Sequence, residues 1–280
     1  MPSVTKINTV DVGLQAADIR TKTASTYTNK FFGERQARTS KAASRIVPKV
    51  LEVIQPCSVI DVGCGTGEFL AMFREHGIED ILGIDGAYVQ KNLLAFPQEN
   101  FIPFDLNRSF TLDRTYDLVI CLEVAEHLRR QSARDFIASL TSLAPIILFS
   151  AAIPYQGGTH HLNEQWPEYW ADLFKQHGFV PVDALRRSIW HDREIPFCYR
   201  QNMLFFCTEE MLAGNEKLAL AYKATNADAL SIVHPEMHLV CNTIALRILR
   251  RILTPVLTPL WIINEKVGRR FGKWNISVKR

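Results

Sequence analysis

Val59-Ile60-Asp61-Val62-Gly63-Cys64-Gly65-Thr66-Gly67-Glu68-Phe69-Leu70 is the stretch whose reading decides the fold. Val59 to Val62 is a short, β-branched apolar run and reads as a buried strand that stops at a glycine cluster. Glycine tolerates positive φ and carries no Cβ, so the chain turns sharply there and brings its backbone against a ligand. From Glu68 onward the pattern is helical, and the first N–H groups and dipole of that helix face the same place. Gly63, Gly65 and Gly67 space as GxGxG, not as the GxGxxG that cradles a dinucleotide pyrophosphate. The spacing therefore disfavours an NAD(P)-dependent enzyme.

Further apolar runs follow at Ile81–Ile84, Phe101–Phe104, Tyr116–Leu122 and Ile146–Phe149, and helical patterns separate most of them. That alternation is the signature of a doubly wound, mostly parallel sheet. Arg38–Ile54 carries apolar residues at helical spacing, interrupted by Pro48, which must kink or restart the helix. Residues after Tyr116–Leu122 read as a polar helix through Leu143. Glu164–His177 reads as a helix closed by Gly178. Phe179–Leu185 and Asn202–Cys207 read as two last strands with a long insert between them, and 208–238 as helices.

The chain has 280 residues, 47% hydrophobic and 22% charged, which is the balance of a globular protein able to bury a large core. Six cysteines form no CxxC pair, so reduced, buried thiols of a cytoplasmic protein are expected. The polar N-terminus lacks the apolar core of a signal peptide, and no apolar run reaches the roughly 18 residues of a spanning helix. The net charge of +3 is unevenly placed. Residues 239–280 hold nine basic side chains against one acid, Glu265; their +8 leaves −5 on residues 1–238. An acidic body argues against a nucleic-acid partner.

With these motifs in hand, the sequence over about 58–207 resembles the class I S-adenosylmethionine-dependent methyltransferases, nearest to the branch of the ubiquinone-biosynthesis O-methyltransferases. The resemblance implies a seven-stranded sheet ending in a hairpin, and a domain over 37–210. Residues 1–36 are then a loosely ordered arm, and 211–280 a helical extension with a basic tail. It also implies that S-adenosylmethionine is held by Asp61, Gly63, Cys64, Gly65, Gly67, Asp85, Gly86, Asp105, Leu106, Leu122 and Glu123. Asp85, ending the second strand, matches the acid that accepts both ribose hydroxyls, since a carboxylate offers two acceptors to a vicinal diol. Asp105 matches the acid at the adenine amino group, and Asp61 the one that steers the methionine end. A lone aspartate after a strand is more often a turn or cap residue; three in register with GxGxG are read together.

Leu122-Glu123-Val124-Ala125-Glu126-His127 spaces Glu123, Glu126 and His127 at i, i+3 and i+4, one face of a helix. Some relatives, certain small-RNA 2′-O-methyltransferases among them, bind a divalent cation through such a pattern. Glu123, Glu126, His127 and His161 are accordingly a candidate metal set. The alternative is that the acids border the cofactor and cap the helix. Tyr155, Trp166, Trp190 and Arg193 are the candidate acceptor-binding residues, offering flat faces and a cation. Transfer to oxygen requires removal of a hydroxyl proton, and histidine is suited to this near neutral pH. His161 or His160 is the candidate base, with Glu123 nearby. A small molecule, a sugar or a glycan is the expected acceptor; an RNA 2′-O-methyltransferase and a non-catalytic cofactor-binding scaffold are the competing readings. Ile244, Ala245, Ile248, Leu249, Ile252 and Leu253 line one face of a helical tail whose other face carries Arg247, Arg250 and Arg251. This tail is suited to the inner face of an anionic membrane, or to packing on protein.

Overall fold

The computed structural model describes residues 5–9 and 29–241. The strand elements are β1 (Ile7–Thr9), β2 (Ser58–Val62), β3 (Asp80–Asp85), β4 (Phe101–Pro103), β5 (Phe110–Leu112), β6 (Leu118–Leu122), β7 (Ile146–Ser150), β8 (Phe179–Val182) and β9 (Leu204–Thr208). Seven of them form one sheet in the order β4-β3-β2-β6-β7-β9-β8. All neighbours are parallel until β9, which runs antiparallel to both β7 and β8. This is the Rossmann-like arrangement the motifs require. The order reverses beside β2, so the crevice outside the carboxyl ends of β2 and β6 is where a ligand binds in such a sheet.

Alternation along each strand builds two cores. Val59, Leu118, Ile120, Ile146 and Leu148 face a helical layer made of α1 (Asn29–Val53) and α2 (Glu68–Glu75), with Ala42, Ile46, Val50, Leu70 and Phe73 buried against them. Ile60, Val119, Cys121, Ile147 and Phe149 face the other side, covered by α3 (Ala133–Thr141) and α4 (Pro167–Lys175) through Phe136, Leu140, Trp170 and Phe174. Phe174 stacks on Phe206 at 4.0 Å between centroids, and Phe149 meets both edge-on. Helices on both faces explain why these strands are mostly apolar on both faces.

Several elements differ from expectation. Ile7–Thr9, placed by sequence in a loosely ordered arm, pairs antiparallel with Phe110–Leu112. Pro48 lies inside α1 without ending it. The polar stretch after β6 is not one helix: two 3-10 turns, Ala125–His127 and Arg130–Ser132, precede α3. The helix expected from Glu164 starts at Pro167, whose fixed φ suits a first helical position, and leaves Glu164 in a loop. The insert before β9 holds two short helices, α5 (Arg186–Ile189) and α6 (Phe197–Asn202).

The chain divides into compact units at His234 and Pro235. Within the first, α7 (Glu209–Gly214) and α8 (Glu216–Ala224) pack on the sheet, and Asn215 both caps α8 and donates to Val53 O. The buried Arg186 donates to Asp183 and to the carbonyls of Gln201 and Leu230, fastening residue 230 to the end of α6. Residues up to 234 thus fall in the same compact unit as the sheet. The basic tail follows this boundary, and its residues from 242 on lie outside the described residues.

Candidate active site

The loop after β2 is built from three positive φ angles, 88°, 55° and 85° at Gly63, Gly65 and Gly67. Their reasons differ. A Cβ at Gly63 would lie 2.3 Å from Val124, and one at Gly67 2.2 Å from Phe96, so both are packing requirements. Gly65 has nothing within 4 Å of a Cβ position. Its backbone therefore faces open space, and the space adjoins Asp85: the Gly65 N–H donates to Asp85 Oδ2 at 2.7 Å. The other oxygen, Oδ1, accepts the Gly86 N–H at 2.6 Å and the Tyr88 hydroxyl at 2.5 Å. A buried carboxylate held beside an open glycine backbone at a strand end fits a ribose diol.

Asp61, Asp85 and Glu68 surround this loop and all are buried. Burial pushes the Asp61 carboxyl well above the usual range, and the charges of Asp85 and Glu68 push it further. Such a cluster favours a cationic ligand, and S-adenosylmethionine carries both a sulfonium and an ammonium group. Burial likewise holds Cys64 and Cys121 as thiols, which removes them as nucleophiles. Asp105 is exposed, and its Oδ1 accepts the backbone and side-chain N–H groups of Asn107, a local turn. Leu106 is buried in the core.

Glu123 follows β6 with φ 55°, a left-handed conformation that turns it out of the strand. Its N–H donates to Ser150, and its carboxylate accepts from Gln156 Nε2 at 2.8 Å and Asn202 Nδ2 at 3.1 Å. Shielding from water raises its pKa, while the amides of Asn202 and Gln156 and the hydroxyl of Ser150 draw it back. Gln156 and Asn202 were not singled out as partners of this acid. Gln156 stands in the loop after β7 and Asn202 at the end of α6, and only the β7–β9 pairing brings them together.

The expected helical face of Glu123, Glu126 and His127 does not form, because the turn at Glu123 precedes a single 3-10 turn. The cluster that does form is Glu126, His127 and His161, with one ligand atom from each within 4.8 Å of the others. Glu123 is not in it. His127 and His161 meet edge to face at 4.9 Å, and Glu126 O accepts the N–H groups of Leu162 and Asn163, which clamps the following loop over it. One carboxylate and two imidazoles suit a transition-metal ion better than an all-oxygen preference would.

Of the two candidate bases, His161 is half-buried in this cluster, whereas His160 is exposed with φ 60°. Tyr155 and Trp166 are exposed on the same loop segment, Tyr155 at 86%. Arg193 is exposed. Trp190 is turned inward: its ring lies 4.5 Å from that of His234, and its carbonyl accepts from the buried Arg200. That placement packs Trp190 within the insert before β9.

The parallel sheet, the glycine loop and the acid at the next strand end define a class I S-adenosylmethionine-dependent methyltransferase. Residues 27–191 match the family model described as "Methyltransferase domain", and the chain belongs to that family. It is 32% identical over 118 residues to the chloroplastic magnesium protoporphyrin IX methyltransferase of Arabidopsis thaliana, which covers 39% of this chain and 38% of that protein. A ubiquinone biosynthesis O-methyltransferase of Rickettsia bellii is 33% identical over 94 residues, 31% of this chain and 37% of the relative. The matches thus span under two fifths of those relatives' lengths. A sugar N-methyltransferase from a Streptoalloteichus species shares the fold, with TM-score 0.52 and 15% identity over 72% of this chain and 99% of that one.

Proposed function

We propose that this protein transfers a methyl group from S-adenosylmethionine to a hydroxyl oxygen of a small molecule, a sugar or glycan in particular. The observation that supports it most is the buried Asp85 carboxylate beside the open Gly65 backbone, and His161 stands on the loop that follows β7. The cofactor supplies an electrophilic methyl on a sulfonium, so no covalent enzyme intermediate is needed. The chain's own tasks are to align the acceptor, to exclude water, and to take up the hydroxyl proton at an imidazole nitrogen of His161. Tyr155 and Trp166 provide apolar faces for a ring. Relatives bearing both O- and N-methyltransferase names make nitrogen the competing acceptor atom.

Calorimetry with S-adenosylhomocysteine tests the cofactor half: Gly65→Arg and Asp85→Ala are expected to abolish binding, and undiminished binding in both would sink the assignment. A screen of acceptor classes with labelled cofactor tests the rest. With an acceptor found, His161→Ala is expected to slow transfer by roughly 10²–10⁴-fold.

The convergence of Glu126, His127 and His161 favours a second reading, in which a divalent transition metal is held there and binds the acceptor oxygen's side of the crevice. Titration with Mn²⁺ or Zn²⁺ should then give one site that Glu126→Gln removes; no heat beyond dilution would end this reading. RNA as acceptor gains no support from the acidic body.

A further inference from the structure

Glu164 was expected on a helix, and the structure puts it to a different use. Its carboxylate accepts the N–H of Tyr155 on Oε2 at 2.8 Å and the N–H of Gly157 on Oε1 at 2.9 Å. The same Oε1 lies 2.8 Å from His161 Nδ1. One side chain therefore gathers both ends of the loop 155–161, across a run where Tyr155, Gly157 and His160 all take positive φ. Glu126 O holds the far side of this loop through Leu162 and Asn163.

We propose that Glu164 is a positioning residue for His161: it closes the acceptor-facing loop and fixes the imidazole with its proton on Nδ1, so that Nε2 is the nitrogen presented for chemistry. An ionised carboxylate has no proton to donate, so a neutral imidazole against it must place N–H on Nδ1 and its lone pair on Nε2. Charge-assisted bonds of this kind are the shorter and stronger ones, which suits a hub holding three donors. A second observation concerns the other edge of the ring. A Cβ at residue 158 would lie 2.1 Å from His161 Nε2. Only glycine at that position leaves the ring where Glu164 holds it. The groups facing His161 are thus Glu164, His127 and Glu126, with Glu123 adding its field. A lone pair at Nε2 serves a proton acceptor or a metal ligand equally, and the proposal rests on the reading of His161 as functional.

The test uses the full-length, ligand-free chain labelled with ¹⁵N. Wild-type His161 should show the Nδ1–H form, and the amides of Tyr155 and Gly157 should exchange slowly with D₂O. Glu164→Ala should shift His161 toward the Nε2–H form and accelerate both amides by roughly tenfold or more, while the amides of β2 stay protected. Glu164→Gln retains one oxygen; it should keep His161 as Nδ1–H and release Tyr155 alone. Gly158→Ala should move the imidazole signals while Tyr155 and Gly157 remain slow. An Nε2–H imidazole in the wild type, or an unchanged tautomer in Glu164→Ala, would overturn the proposal. If Glu164→Ala shifts the tautomer while His161→Ala transfers methyl groups at the full rate, the role of Glu164 stands and the reading of His161 as base falls.

Discussion

Asp61 is buried among two other acids, and its folded pKa is raised above the unfolded value. The folded state therefore holds its proton where the unfolded state has released it. Its share of stability is complete below the unfolded pKa and is lost as pH rises through the folded one. In the ligand-free protein, Asp61→Asn should raise the thermal midpoint by roughly 2–4 °C at pH 8, with the gain shrinking toward pH 5. A gain that grows toward acid would contradict the raised pKa. Tyr88 offers a second residue-scale prediction. Its ring lies over Gly86, where a Cβ would come within 2.1 Å, and its hydroxyl occupies Asp85 Oδ1. A ribose diol must compete with that hydroxyl. Tyr88→Phe keeps the ring and removes the competitor, so S-adenosylhomocysteine should bind about 2–10-fold more tightly, the equivalent of one net hydrogen bond. Weaker binding would mean that the hydroxyl serves the ligand instead.

Besides their ladder bonds, β2 and β6 are tied by one reciprocal contact at their amino ends. Asp117, just before β6, accepts the N–H groups of Cys57 and Ser58 at 2.7 and 3.0 Å, and its own N–H donates to Ser58 Oγ. These bonds replace ladder bonds that the sheet lacks before Val59 pairs with Leu118. Asp117→Ala strands two N–H groups and should cost about 1–3 kcal/mol in urea denaturation, with an unchanged slope. No loss would show that water replaces the carboxylate. The same scale explains which elements were legible. Buried parallel strands are mostly apolar and short, and each lies within a few residues of its expected position. The stretch after β6 was misread because Glu123-x-x-Glu126-His127 has helical spacing, while the turn at Glu123, stabilised by Ser150, Gln156 and Asn202, breaks the helix before it begins. β1 was missed because three residues paired with β5 carry no periodicity.

At the scale of the whole molecule, charge separates a body of −5 from a tail of +8. Among the described residues no helix is long and apolar enough to cross a membrane. With nine basic side chains against one acid in 239–280, attachment through the tail is expected to be electrostatic, each basic residue near an anionic surface contributing about 1 kcal/mol. Full-length protein should float with phosphatidylserine vesicles at low salt and a 1–238 truncation should not; equal flotation would end the membrane reading. By itself, the sequence determined the sheet, its glycine loop and the acids at strand ends, because these depend on local periodicity and on conformations open only to glycine. Which acids and histidines meet was decided by tertiary structure alone. Glu164 and His161 are neighbours in sequence, but their bond exists because α4 starts late at Pro167 and leaves Glu164 in the loop. Glu126 and His161 stand 35 positions apart, and Glu123 and Asn202 79 apart. Side chains that distant meet only once β6, β7 and β9 have paired, and no local pattern in the chain encodes that pairing.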